Sequence, residues 1–225
     1  MFRQHHSSLR PWAIFGLALT VSCSLVGSVY AQPQETFQAS QFYVFGSDPA
    51  EPVPSAARFN RTLDESRATL HLSGLDPLAA YSVWVVVFNN PAGCTTNPES
   101  EVRCGLADLM LTPNLADASA FNEGALVTDS DGTANAVAHI RGGPLPDGAF
   151  VLWGAGGAND NGVSPGLREG NGFGAEIHLA LRNHQQILPD AIVDQLTLFD
   201  GGCPPNTCTN QLVVTFAAIP PPAMP

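Results

Sequence analysis

Histidine and cysteine are the residues in this chain whose types and placement could support chemistry. Beyond residue 31 the imidazoles are His71, His139, His178 and His184, and each falls on a stretch that alternates apolar and polar side chains. Each also lies on the face opposite the aliphatic stripe. His139 shares its face with Val137 and Arg141, opposite Ala138 and Ile140; Glu176, His178, Ala180, Arg182 and His184 lie opposite Ala175, Ile177, Leu179 and Leu181. Neighbouring strands run about 4.8 Å apart, so side chains from two or three of them could converge on one ion. Imidazole combined with carboxylate suits zinc or copper. The candidate metal set is therefore Glu176, His178 and His184, joined by His139 or His71. Two features oppose it. Positions 178 and 184 are roughly 20 Å apart on an extended strand, and Arg141 and Arg182 would repel a cation, with Glu176 available to pair with them instead. An ordinary solvated polar face, with no cofactor, is the stronger expectation.

Four cysteines remain beyond residue 31: Cys94, Cys104, Cys203 and Cys208. An even number in an exported chain reads as two disulfides, and the spacing favours local closure, 94 with 104 and 203 with 208, over the crossed connectivities. Each small loop would constrain the unfolded chain by on the order of 2 to 3 kcal/mol. Zinc at the cysteines fits poorly, because nine residues separate the first pair and no histidine stands nearby in sequence.

Two formal motif matches fail on their chemistry. Gly162-Val163-Ser164-Pro165-Gly166 fits G-x-S-x-G. In a nucleophile elbow, however, the residue after serine donates its amide to the oxyanion hole, and proline has none. Asp129-Ser130-Asp131-Gly132 hints at a calcium loop but lacks the further acidic ligands, and reads instead as a tight hairpin turn between 125–128 and 133–140.

The N-terminus gives an address. Arg3 and Arg10 precede an apolar run from Pro11 to Val29, and Val29-Tyr30-Ala31 is a small-x-small cleavage pattern, so residues 1–31 read as a secretory signal. A membrane anchor is disfavoured by the glycines and serines that interrupt the run. Lipidation at Cys23 would need an aliphatic residue where Thr20 stands. Cleavage after Ala31 leaves seven arginines, no lysine and twenty carboxylates, so the formal charge moves from -11 to -13. Such a surface repels phosphate backbones and anionic headgroups, which argues against nucleic-acid binding and against membrane insertion of the mature chain.

The elements that must position these residues are strands. About 190 residues suffice for one domain with its own core, assigned to 32–219, with a proline-rich tail over 220–225. Thr36 to Phe45 reads as a first strand with Phe37, Ala39, Gln41, Tyr43 and Phe45 on one apolar face, ending at Gly46-Ser47-Asp48-Pro49 in a proline-rich loop that reaches Pro54. Ala68 to Ser73 alternates, and Tyr81 to Phe88 is apolar on both faces, as in a central strand. Leu106 to Leu115 stays open between strand and helical turn. The glycine-rich span 142–174 is expected to hold one short strand near Ala149 to Trp153. Pro189 to Leu196 reads as a short helix, and Leu212, Val214 and Phe216 as a closing strand.

Leu75-Asp76-Pro77-Leu78-Ala79-Ala80-Tyr81 resembles the L-x-P-x-x-x-Y corner between strands E and F of fibronectin type III and related immunoglobulin-like sandwiches, with Leu78 where glycine often follows the proline. The resemblance implies an all-β, immunoglobulin-like antiparallel β-sandwich with long Gly/Pro-rich loops, and a buried tyrosine whose hydroxyl bonds backbone upstream. It implies no function. The phrases FNNPAGC, at 88–94, and GAEIHLALRNH, at 174–184, resemble those of secreted bacterial proteins and bring no site residues with them.

Three functional classes follow. The leading expectation is a secreted or periplasmic non-catalytic β-domain with a binding or envelope role, whose partner is a protein or a polysaccharide. Second is a zinc- or copper-binding protein using the strand-face histidines. A hydrolase built on a carboxylate pair is third, and twenty acidic residues do not single out a pair.

Overall fold

Period-2 alternation carries most of the chain into strands. The computed structural model describes residues 36–47 and 50–222. Residues 1–35, which include the expected secretory signal, residues 48–49 and residues 223–225 lie outside the described residues. The strands are β1 (Thr36–Val44), β2 (Pro52–Arg61), β3 (Glu65–Leu72), β4 (Ala79–Phe88), β5 (Ala118–Val127), β6 (Ala134–Arg141), β7 (Val151–Trp153), β8 (Glu176–Gln186) and β9 (Thr209–Phe216). Two short helices, α1 (Leu106–Leu109) and α2 (Ile192–Thr197), interrupt the loops. The strands form one antiparallel nine-stranded sheet in the order β6-β3-β2-β1-β9-β8-β4-β5-β7. It curls so that β5 packs beside β6. Among the described residues no helix is long and apolar enough to cross a membrane.

The inside of the curl is the main core. Phe42, Phe59, Leu70, Tyr81, Val83, Val85, Val87, Ile177, Leu179, Leu181, Val214 and Phe216 are buried there. As the sequence leads one to expect, β4 is central and covered on both sides: Trp84 and Phe88 face a second cluster with Leu109, Leu152 and the Cys94–Cys104 pair. β1 departs from its expected face. Phe42 is its core residue and Phe37 is 73% exposed: along the strand the face of Gln38, Ser40 and Phe42 is the more buried one, already ahead of the register shift against β2 between Gln41 and Tyr43.

The corner between β3 and β4 is held by Tyr81. Its ring is fully buried, its hydroxyl accepts the Asp76 N–H at 3.0 Å and donates to Gln211 Oε1 at 2.7 Å. Burial pushes the phenol up to about 12. Leu78, at the position where glycine is common, takes φ 52° with an exposed side chain.

The turn Asp129–Gly132 forms as expected, but it does not close a hairpin ladder. Asp129 Oδ1 accepts the amides of Asp131 and Thr133 at 2.9 and 2.8 Å, and Gly132 sits at φ 69° where a Cβ would strike the Leu75 carbonyl. The surrounding backbone bonds go to the β3–β4 corner, Leu75 N–H to the Gly132 carbonyl, Leu78 N–H to that of Asp129 and Thr128 N–H to that of Ala79. Docked there, the turn sends β5 to β4 and β6 to β3.

Candidate functional site

On β8 the polar stripe is where the alternation puts it, but it is not solvated. Glu176 and His184 are fully buried and Arg182 is nearly so. Two loops cover this face, each closed by a local disulfide, Cys94–Cys104 and Cys203–Cys208, with Cα atoms 5.1 and 5.9 Å apart. The buried side chains grip them. Glu176 Oε2 accepts the Arg103 amide at 2.8 Å and Oε1 accepts the Cys104 amide at 2.9 Å. Nearby in the same loop, Asp108 accepts from the amides and hydroxyls of Thr95 and Thr96 and from the Gly105 amide. Burial alone would raise its carboxyl; hydrogen bonds from Thr96, Thr95 and Gly105 outweigh that and hold it at about 2. The second loop is held by Arg182. Its Nη2 pairs with Asp200 at 2.6 Å, its Nη1 donates to Asn210 at 3.1 Å, and its plane lies 3.6 Å from the Phe199 ring centroid.

Of the candidate metal set Glu176, His178, His184 and His139, the structure brings Glu176 and His178 together and places the other two elsewhere. His178 pairs with Glu176 at 2.8 Å, whereas His184 looks toward the second disulfide. His139 belongs to β6, five places from β8 in the sheet, and pairs with Glu65; His71 bonds Asn135 at 2.8 Å. Extended geometry keeps 178 and 184 apart, as the rise per residue requires. Arg182 takes Asp200 rather than Glu176. Among the described residues, the group of three or more metal-ligating side chains close enough to share an ion is His184, Cys203 and Cys208, whose ligand atoms lie within 4.8 Å of one another. The sequence hid this set because its histidine lies 24 residues from Cys208 and on a different element.

His184 Nε2 meets Ser82 Oγ at 2.7 Å, and the Trp84 indole N–H donates to the same oxygen at 2.7 Å. Nδ1 lies 2.9 Å from the Gly201 carbonyl. Burial pulls this imidazole below its ordinary value, so at neutral pH Nδ1–H donates to Gly201 and Nε2 accepts the serine proton. The pair has the contact of a serine nucleophile and its base. Both residues are fully buried, however, and the third partner is a carbonyl rather than a carboxylate.

Beside this layer a cleft of about 610 Å³ opens between β7 and the loop after α2. Phe150, Trp153 and Phe199 line it together with Asp194, Asp200 and Asn159. Trp84 supports it from behind, edge-on to Phe150 at 5.7 Å and to Phe199 at 5.1 Å. A second hollow, about 780 Å³, lies between Asn89, Glu101, Arg103 and residues 217–220 and contains no aromatic ring.

Elsewhere, burial raises the Glu123 carboxyl to about 7, against the partial offset of His139 and Arg141. Because its folded value lies above the unfolded one, the folded state binds the extra proton between pH 4.5 and 7, so stability falls as pH rises through that window. Discounted for partial exposure, the loss is about 1 kcal/mol. Urea melts from pH 4.5 to 8 should show that slope, and Glu123→Gln should flatten it; an unchanged slope in the variant would place the effect elsewhere.

Fold and site together define an all-β domain with two disulfide-stapled loops over one face of its sheet and an aromatic cleft at their edge. No family model, curated protein or solved structure matches the chain.

Proposed function

We propose that the protein is an exported, non-catalytic β-domain that binds a segment of neutral polysaccharide in the cleft between β7 and the loop after α2. The observation that carries this reading is the lining: three aromatic rings flanked by Asp194, Asp200 and Asn159. Sugar rings present apolar C–H faces that stack on aromatic side chains, and hydroxyls that donate to carboxylates and bond amides; a cleft of this composition offers both. A neutral polymer suits the charge, since -13 on the mature chain repels anionic ones. Export is supported by the basic and apolar N-terminal pattern and by the two disulfides. The Tyr81 corner supports reading the curled sheet as an immunoglobulin-like sandwich.

Titration calorimetry with neutral glucan, mannan and galactan oligosaccharides tests the reading. At least one should bind, and Trp153→Ala should weaken it tenfold or more, a loss of about 1.4 kcal/mol, while the protein still melts cooperatively. Binding that Trp153→Ala leaves intact, or none across the panel, would refute it.

A further inference from the structure

The wall of the cleft at Cys203 hides a second chemistry that does not depend on what the cleft binds. His184 Nδ1 is 3.2 Å from Cys208 Sγ. The Gly201 carbonyl oxygen completes the group, 2.9 Å from Nδ1, 3.7 Å from Cys203 Sγ and 3.8 Å from Cys208 Sγ. Around a tetrahedral zinc ion with bonds of about 2.0 to 2.3 Å, ligand atoms stand roughly 3.3 to 3.8 Å apart. Three of the six edges, Nδ1 to Cys208 Sγ and the carbonyl oxygen to each sulfur, are therefore near those lengths already. The edge that is closed is the one between the two sulfurs, which is a disulfide bond.

The backbone fixes this geometry. Gly201 abuts the last turn of α2, where a Cβ would collide with the Asp194 carbonyl, so a glycine is required and its own carbonyl is held against His184. Ser82 and Trp84 anchor the far side of the imidazole, as outer-shell partners do for metal-ligating histidines. The two disulfides also differ in access. Cys94 and Cys104 are 6% and 2% exposed, whereas Cys203 and Cys208 are half-buried at the surface. A reductant reaches the second pair first.

We propose that Cys203, Cys208, His184 and the Gly201 carbonyl form a redox-gated zinc site, locked as a disulfide when oxidised and able to bind the ion once reduced. A dithiol reductant supplies two electrons and two protons; the S–S bond breaks, two thiols form, and the reductant leaves as its own disulfide. Zn²⁺ then displaces both thiol protons to give two thiolate ligands. The imidazole stays neutral throughout: its proton moves from Nδ1 to Nε2, and the Ser82 hydroxyl turns its own proton away so that Oγ accepts the Nε2–H hydrogen bond, freeing Nδ1 for the metal. Thiolate, imidazole and one carbonyl make a soft donor set suited to zinc.

The test uses the exported full chain, treated with a tertiary phosphine, given one equivalent of Zn²⁺, dialysed, and weighed by native mass spectrometry, with alkylation mapping to show which disulfide opened. Untreated protein should retain no zinc. Reduced protein should retain one equivalent with Cys203 and Cys208 protected from alkylation, and Co²⁺ in its place should give the intense visible bands of a tetrahedral thiolate site. Cys208→Ser and His184→Gln should each lower zinc affinity at least 100-fold. Ser82→Ala, which keeps every ligand, should lower it about tenfold, and His178→Ala should leave it unchanged. Should His184→Gln fail to fold, Cys208→Ser and Ser82→Ala still decide the matter. Reduced protein that retains no zinc, or zinc that survives Cys208→Ser, would overturn the proposal.

Discussion

Arg61→Met is expected to cost about 4 kcal/mol of stability. Arg61 ends β2 fully buried, and its guanidinium is spent on the backbone rather than on a carboxylate. Nη1 donates to the Gly172 and Ala175 carbonyls at 2.9 and 2.8 Å, Nη2 to those of Phe216 and Ala217 at 3.1 and 2.9 Å, and Nε to Gln38 Oε1 at 2.7 Å. Burial lowers this group to about 10, with the Glu176 charge acting the other way, so it stays cationic at neutral pH. Methionine keeps most of the volume and removes every donor. Buried carbonyls of β9 and of the segment leading into β8 then lose partners at about 1 to 3 kcal/mol for each group left unsatisfied, softened by relaxation. Urea denaturation at pH 7 reads the difference; a loss under 1 kcal/mol would show that these carbonyls find water instead.

Glu176→Ala is expected to cost about 3 kcal/mol and to act locally as well. The carboxylate holds the Arg103 and Cys104 amides and the His178 imidazole from a fully buried position. Without it two donors under the first disulfide loop are orphaned. Hydrogen exchange should quicken by two or more orders of magnitude at Arg103 and Cys104 while the central strands β4 and β8 keep their protection relative to global stability. Glu176→Gln, which retains one acceptor oxygen, should recover about half of the loss. Equal loss in both variants would mean that charge rather than acceptor count holds the loop.

These two residues also show where reading a sequence stops. The alternation along 175–184 placed every side chain on its correct face, because a strand's period is two and nothing else intervenes. It could not show what covers the polar face. Glu176, Arg182 and His184 look like a solvated stripe until loops distant in sequence are laid over them, and the match of a carboxylate to two backbone amides leaves no periodic trace. β2 was missed for a different reason. Pro52 and Pro54 punctuate it and read as loop, yet its ladder with β3 begins only at Ala56, so the prolines occupy a stretch where their missing N–H is harmless. Asp129–Gly132 was legible as a turn from its own residues. Its docking onto the β3–β4 corner, which separates β5 from β6, depended on contacts 50 or so residues away and was not legible. The two disulfides were the easiest part, since short spacing makes local closure the simplest connectivity. His184, by contrast, meets Cys203 and Cys208 only because α2 and Gly201 fold the second loop back onto β8.

The polysaccharide reading of the cleft is tested most directly by mapping amide shifts on isotope-labelled protein titrated with the tightest neutral oligosaccharide. The expected result is a set of perturbations confined to Phe150–Trp153, Asn159 and residues 194–204, the two sides of the aromatic cleft. Perturbations centred instead on Asn89, Arg103 and residues 217–220, around the second hollow, or none at saturating sugar, would contradict it.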